Sequence, residues 1–120
     1  MSNRIPNGAS ITTNTGTGTT SATATLAAVA NRVLYLTGAY VSSSGATAAG
    51  TPTFTITNTV GGTMSFAYPQ VAVATNNQCP LELIFNPAIP ATAANTSMVG
   101  SVTTGAGTTA TTVVLTGYMI

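Results

Sequence analysis

The sequence predicts an all-β fold: a single antiparallel β-sandwich, jelly-roll-like, with a flexible N-terminal arm. Gly and Pro recur about every ten residues, and short runs rich in Thr, Val, Ile, Tyr and Phe lie between them. Several of these runs alternate apolar with polar residues, which is the period of a half-buried strand. Seven strands spaced in this way are typical of a sandwich or jelly roll rather than of a helical fold.

Residues 1–20 differ in composition from the rest of the chain. No large apolar side chain lies between Ile11 and Leu26, and residues 15–19 alternate threonine with glycine. Such a stretch cannot bury enough surface to offset the entropy lost on ordering. We therefore predict that residues 1–20 form a flexible arm, or one that orders only against a partner, and that residues 21–120 form the sandwich domain.

The remaining residues divide into strands and longer loops. Strands are predicted at residues 21–29, 32–42, 52–59, 63–69, 81–85, 96–103 and 110–119. Longer loops are predicted at residues 42–50, 71–80 and 86–95. The first strand is ambiguous, because Leu-Ala-Ala-Val-Ala would also suit a short helix.

One hairpin can be predicted in detail. Threonine occupies every odd position of residues 51–59, which predicts one hydroxyl-bearing face with Phe54 and Ile56 on the other. A two-residue Gly-Gly loop would mix the faces of the two strands, whereas a three-residue loop pairs Ile56 with Phe66 and keeps the apolar residues together. Gly62 then occupies the left-handed position of a bulged turn.

The charge content excludes most kinds of chemistry. Only 2% of the residues are charged, and they are Arg4, Arg32 and Glu82. Because the chain has no histidine and one carboxylate, it lacks an acid–base pair and a Ser/His/Asp or Cys/His arrangement. Zinc and calcium need several His, Cys or carboxylate ligands. The sequence predicts a protein that is not an enzyme, without cofactor or metal.

Glu82 and Cys79 are predicted to be structural. Alternation in residues 81–85 points Leu83 and Phe85 inward and Glu82 outward, as a solvated residue or a partner of Arg32. The single Cys79 cannot form an internal disulfide, and we expect it to be a small buried apolar residue.

Nucleic acid and membrane are not expected as partners. A formal charge of +1 provides no basic patch for a phosphate backbone. No stretch of about twenty apolar residues is present, and no signal peptide is recognisable.

Two predicted strands are apolar on both faces, in residues 32–42 and 113–120. A half-exposed antiparallel strand should alternate, so these strands need a second covering surface. In so small a domain we expect that surface to be another subunit, contacted by Arg32, Tyr35 and Tyr118. We expect Arg4, Ile5 and Pro6 to anchor the arm on a neighbouring subunit or another protein.

Three stretches carry a resemblance to a known family. They are Asn31-Arg-Val-Leu-Tyr-Leu-Thr-Gly-Ala-Tyr40, the Pro-rich run from Pro80 to Thr96, and Leu115-Thr-Gly-Tyr118. Together they resemble the small β-sandwich head decoration (cement) proteins of tailed bacteriophages. The resemblance implies a jelly-roll-like homotrimer that is assembled in the host cytoplasm and binds major capsid proteins on the outer capsid surface of the virion. It implies no catalytic residues.

Two other functions remain open. A receptor- or glycan-binding module of a tail fibre or other adhesin would use a cluster of aromatic and amide side chains, for which the candidates are Tyr40, Tyr68, Asn76, Asn77 and Gln78. The Thr-x-Thr row resembles those of ice-binding proteins, which repeat the row strand after strand. Here the row is clear only in residues 51–59.

Overall fold

The computed structural model describes residues 5–19, 21–103 and 110–120. In this part of the chain all regular secondary structure is β-strand, and no helix occurs. The strands are β1 (Ser10–Gly18), β2 (Ser21–Leu26), β3 (Leu34–Ala46), β4 (Thr53–Thr59), β5 (Gly62–Ala67), β6 (Val73–Pro90), β7 (Met98–Thr103) and β8 (Ala110–Met119).

The strands form two four-stranded antiparallel sheets. Sheet A has the order β1-β8-β3-β6, and sheet B has the order β2-β7-β4-β5. Consecutive strands usually lie in different sheets, so the chain crosses repeatedly from one layer to the other. The two layers pack as a sandwich, which confirms the predicted fold class.

The core lies between the sheets, and the residues that form it are those that alternation along each strand points inward. In β2, Ala22, Ala24 and Leu26 are buried while the residues between them are exposed. Phe54 of β4 and Leu115 of β8 have no exposed surface. The half-buried side chains of Leu81, Leu83 and Phe85 complete the core from β6, as predicted, while Glu82 is exposed.

The first strand corrects the predicted strand list. Residues 10–18 lie within the predicted arm, but they form a nine-residue edge strand that pairs with β8. Asn14 of this strand accepts a hydrogen bond from the Thr25 backbone N–H at 3.1 Å. The low hydrophobicity of residues 10–18 gave no strand signal in the sequence. Small residues are enough to stabilise a strand where its backbone packs closely against another strand. The division of the chain into arm and domain stays a prediction.

Two predicted loops are also largely strand. β3 continues through residues 42–46, and β6 runs for 18 residues from Val73 to Pro90. The two strands pair along most of this length, with three shifts of register. The sequence missed this ladder because its polar, bulged part has neither a simple alternation nor large apolar side chains.

The hairpin of β4 and β5 has a register different from the prediction. Phe54 pairs with Phe66 and Ile56 pairs with Met64, so the predicted pairing of Ile56 with Phe66 is wrong by two residues. A shift of two positions leaves each side chain on its original face. The apolar residues of both strands therefore still face the core together.

A turn of two residues instead of the predicted three, together with a bulge before it, causes this shift. Asn58 has a positive φ of 66°, and the ladder is irregular between Ile56 and Thr59. Thr59 then pairs with Gly62 across a two-residue turn. The bulge turns Thr59 inward, where it is fully buried, so it leaves the predicted hydroxyl face. Gly62 has a positive φ of 93°, in agreement with its predicted left-handed conformation.

Candidate functional site on the outer face of sheet A

The outer face of sheet A carries aromatic and aliphatic side chains on four neighbouring strands. We call it the tyrosine face and define it by three rows of paired residues that cross the sheet. The rows are Ile11–Tyr118–Tyr35–Pro90, Thr13–Thr116–Gly38–Ile84 and Thr15–Val114–Tyr40–Glu82. Residues paired across antiparallel strands project on the same side of the sheet.

Tyr35 and Tyr118 form the centre of the first row. Their rings stack with centroids 5.1 Å apart and planes inclined by 11°. Tyr118 and Val114 are only 7% and 8% exposed, yet neither belongs to the core cluster between the sheets. Their neighbours on the outer face therefore bury them. This face thus has an apolar cluster that is separate from the core between the sheets.

Other apolar side chains of the tyrosine face project into solvent. Ile84 is 76% exposed and Ile11 is 71% exposed, while Tyr40 is 41% exposed. Glu82 is the charged residue of the three rows. A face with prominent aliphatic side chains and one charged residue in its three rows is typical of a protein–protein contact.

The structure brings together some of the predicted contact residues. Tyr35 and Tyr118 are in direct contact, as described above. The Arg32 guanidinium donates a hydrogen bond to Ser10 Oγ at 3.0 Å, so it lies beside the start of β1. Ile5 and Pro6 are exposed and precede that strand. Arg4 lies outside the described residues.

Sequence reasoning missed Ile11, Ile84 and Val114 as members of this face. Ile84 carried a signal, because alternation places it outward beside Glu82, where a polar residue is usual. Ile11 carried none, since its strand was not predicted. Val114 became recognisable only from its pairing with Tyr40.

The outer face of sheet B has a different chemistry. One row of paired residues crosses all four strands as Thr23–Ser101–Thr55–Ser65. Thr55 Oγ1 and Ser101 Oγ lie 3.2 Å apart, within hydrogen-bonding distance. Neighbouring outward positions include Ser21, Thr25, Thr53 and Thr57. The strands of sheet B contain no charged residue, so this face is neutral and rich in hydroxyl groups.

The described side chains of the predicted glycan-binding cluster do not form one surface. Tyr68 is 2% exposed, and burial raises the pKa of its phenol to about 12. Tyr40 lies on the tyrosine face, whereas Gln78 is hydrogen-bonded to the backbone of Val71. The side chains of Asn76 and Asn77 lie outside the described part of the structure.

Cys79 corrects another prediction, because it is exposed rather than buried. Its position on the edge strand β6, next to a shift of register, leaves it uncovered. Across the described residues, no group of three or more His, Cys, Asp or Glu side chains could hold a metal ion. That same part of the chain has no helix of a length and hydropathy that would cross a bilayer.

Comparisons with protein-family models, with curated proteins and with solved structures found no match.

Proposed function

We propose that this protein is a non-enzymatic structural protein of a bacteriophage virion, which decorates the outer surface of the head and stabilises it. The proposal joins the resemblance of residues 31–40, 80–96 and 115–118 to the chemistry of the tyrosine face. That face is the single observation that carries it, because exposed apolar side chains clustered on an otherwise hydroxyl-rich domain favour a protein partner.

The tyrosine face would form the centre of a larger contact. Its three rows cross four strands about 4.8 Å apart and span five residues of β1 and of β8, so it covers roughly 300 Å². Burial of one such face on each of two partners removes about 600 Å² from solvent, so a specific interface of about 1,200 Å² would also include neighbouring residues of sheet A. Ile84 and Ile11 already project from the surface, so a partner would bury them without rearrangement of the sheet.

The partners that we propose are further copies of this chain and the major capsid protein. A homotrimer would fit a threefold position of a capsid lattice. In this arrangement the tyrosine face lies inside the assembly and the hydroxyl-bearing face of sheet B faces solution. Arg4, Ile5 and Pro6 precede β1, at the edge of sheet A, and would reach a neighbouring subunit or the capsid from there.

We also propose that the sandwich is a jelly roll. Its support is the strand order, with β1-β8-β3-β6 in one sheet and β2-β7-β4-β5 in the other. Eight strands in two four-stranded sheets are the size of a double-sheet jelly roll, an architecture found in viral capsid and lectin domains. A fold alone does not assign a function, so this argument adds to the surface chemistry and does not replace it.

The decisive experiment is the copy number of the protein in purified virions from the virus that encodes it. Quantitative mass spectrometry should give a fixed ratio to the major capsid protein, at a number set by the capsid lattice. A few copies per particle, or recovery with detached tails, would contradict decoration and favour a tail-fibre module.

A second candidate function, ice binding, is favoured by one observation. The hydroxyl row that was clear only in residues 51–59 continues across β2, β7, β4 and β5 through Thr23, Ser101, Thr55 and Ser65. The test is thermal hysteresis of the protein compared with a Thr23→Lys variant. Absence of hysteresis, or equal hysteresis in both proteins, would remove this candidate.

A further inference from the structure

The sandwich is closed along one side and open along the other. On the closed side the edge strands β1 and β2 lie against each other, with the Gly16 backbone in close contact with β2. On the open side β5 and β6 are the edge strands, and neither pairs with a further strand of the described chain. The sheets are joined at one end of this side, where Thr59 pairs with Ala91. Beyond that end, two unpaired strand edges border the core.

Several core-facing side chains remain partly exposed on the open side. They pack against the core cluster but are only half-buried, and they are Met64 and Phe66 of β5 and Leu81, Leu83 and Phe85 of β6. The inward side chains of β2, on the closed side, are at most 2% exposed. The open side therefore leaves apolar surface of the core in contact with water, and a covering strand would bury it.

The edge of β6 carries backbone groups that point into solvent. Residues 81–84 form the regular part of its ladder with β3, because shifts of register interrupt the ladder at both ends of this segment. A β-carbon on Gly38 would lie 3.2 Å from the Leu83 carbonyl oxygen, so this carbonyl points toward β3. Successive residues of a strand direct their N–H and C=O groups to opposite sides. The backbone groups of Glu82 and Ile84 therefore point away from β3, to the edge without a strand partner among the described residues.

This edge has little protection against the addition of another strand. Edge strands of natural proteins commonly carry Lys, Pro or inward-pointing charges that prevent such pairing. Residues 81–86 contain no Lys or Pro, and the outward-pointing Glu82 is their single charge. Pro80 and Pro87 border the segment and lack the N–H that a longer ladder would need. An added strand is therefore limited to this short segment.

The occupant that fits the edge is the same segment of a second copy. In an antiparallel pair, residues that belong to the same face lie opposite each other. Placing Glu82 opposite Ile84 of the second copy meets this condition and joins the outward backbone groups of both residues in four hydrogen bonds. Leu83 then lies opposite its own counterpart on the twofold axis. A shift of two residues one way would bring the two Glu82 carboxylates together, and a shift the other way would set Glu82 against the irregular part of β6.

We propose that two copies of this protein pair through the free edge of β6, so that sheet A continues across a twofold axis. Glu82 and Ile84 supply the backbone hydrogen bonds, and the second copy covers Leu81 and Leu83. The contact is isologous, so one pairing occupies the edge of both copies and ends there. It uses the edge of the strand rather than the outer face of the sheet, and it is independent of the proposed attachment to capsids.

A disulfide on the twofold axis tests this pairing directly. Leu83→Cys is combined with Cys79→Ser in the full chain, so that the variant has a single thiol. Residues opposite each other in a pair without hydrogen bonds have Cα atoms about 4.5 Å apart, within reach of a disulfide. We expect mild oxidation at micromolar concentration to convert this variant to a covalent dimer. Leu81→Cys with Cys79→Ser is the matched control, because the two copies of residue 81 would lie about 13 Å apart, too far for a disulfide.

A proline variant tests the backbone groups of the edge. Glu82→Pro removes an N–H that points away from β3, so the ladder between β3 and β6 keeps its hydrogen bonds while the dimer loses two of its four. Glu82→Gln removes the charge but keeps the N–H, and it is the control. When each is added to the Leu83→Cys variant, Glu82→Pro should slow cross-linking roughly tenfold, as expected for the loss of two hydrogen bonds. Glu82→Gln should leave the rate unchanged or raise it.

Three results would overturn the proposal. One is equally slow cross-linking of the Leu83→Cys and Leu81→Cys variants, a comparison that decides alone if Glu82→Pro fails to fold. Another is equal cross-linking of the Glu82→Pro and Glu82→Gln variants when circular dichroism shows both to be folded. The third uses a photoreactive maleimide on the Leu83→Cys thiol in purified virions, where cross-links to another protein alone would assign the edge to that protein. Contact through the tyrosine face leaves Leu83 on the inner side of the sheet, so failure here would not bear on capsid attachment, which the copy number in virions tests.

Discussion

Gly16 of β1 lies directly against Thr23 of β2, so close that a β-carbon on Gly16 would overlap the Thr23 carbonyl oxygen. The two strands are the edges of different sheets. Their contact closes the sandwich along this side and leaves β5 and β6 as the edges on the other. The glycine-threonine alternation of β1 follows from this arrangement, with glycine toward β2 and threonine toward solvent.

Replacement of Gly16 by alanine should therefore destabilise the fold. The new methyl group can be accommodated only if the β1 or β2 backbone moves, and overpacking of this kind typically costs about 1–3 kcal/mol. Urea unfolding would measure the loss. Gly50→Ala is the control, because a β-carbon there meets no atom within 4 Å. Equal stability of the two variants would show that β1 does not pack against β2 as described.

Removal of residues before β1 should have a different effect from removal of β1 itself. The sequence alone predicts that deletion of residues 2–18 leaves the domain folded with little change in melting temperature. Because residues 10–18 pair with β8, the structure predicts that this deletion lowers the melting temperature and that deletion of residues 2–8 leaves it unchanged. Circular dichroism melting of both truncations tests this. Equal melting temperatures would support the boundary after residue 20 that the sequence predicts.

Core aromatic residues should differ in their contributions according to burial. Phe54 has no exposed surface, so Phe54→Ala should cost about 3–5 kcal/mol of unfolding free energy. Phe66 and Phe85 are half-buried, and their alanine variants should lose less. Thr53→Ala, on the outer face of sheet B, should change stability by under about 1 kcal/mol. Chemical denaturation would measure the free energy of unfolding of the four variants. Equal losses in Thr53→Ala and Phe54→Ala would contradict the core assignment.

A charge on the tyrosine face should prevent assembly without unfolding the subunit. Ile84 is 76% exposed, so Ile84→Glu places the carboxylate in water in the monomer but in an apolar contact in an oligomer. Light scattering at micromolar concentration should show an oligomer for the unmodified protein and a monomer for this variant. Thr23→Glu, on the opposite outer face, should remain oligomeric. Two results would argue against the tyrosine face as the interface. One is a monomeric unmodified protein, and the other is the same oligomeric mass for Ile84→Glu and Thr23→Glu.

Tyr68 should make the fold sensitive to alkali. Burial raises the pKa of its phenol from 10.0 to about 12, so the folded protein binds the phenolic proton more tightly than the unfolded chain does. Its contribution to stability is therefore complete below pH 10 and is lost as the pH rises through about 12. The stability of the unmodified protein should fall more over this interval than that of Tyr68→Phe. Parallel curves in denaturant titrations at pH 9 to 12 would show that the phenol titrates as it does in the unfolded chain.

The sequence by itself determined the fold class, the faces of most strands and the residue types that the chain lacks. These features depend on local alternation and on residue inventory. Residues 81–85 show this clearly, since a period of two was enough to place Leu83 and Phe85 inward and Glu82 outward. The same local rule placed Phe54 and Ile56 on one face, although it gave them the wrong partners across the hairpin.

Only the tertiary structure decided which strands are neighbours. Pairing depends on contacts between residues far apart in the chain, and local patterns do not encode it. Ile11 joins Tyr118 and Tyr35, and Ser43 joins Thr111 and Gln78, solely through the register of sheet A. A strand such as β1, stabilised by close backbone contact rather than by large side chains, leaves no hydrophobic signal in the sequence. For this physical reason the tyrosine face became recognisable only in the folded chain.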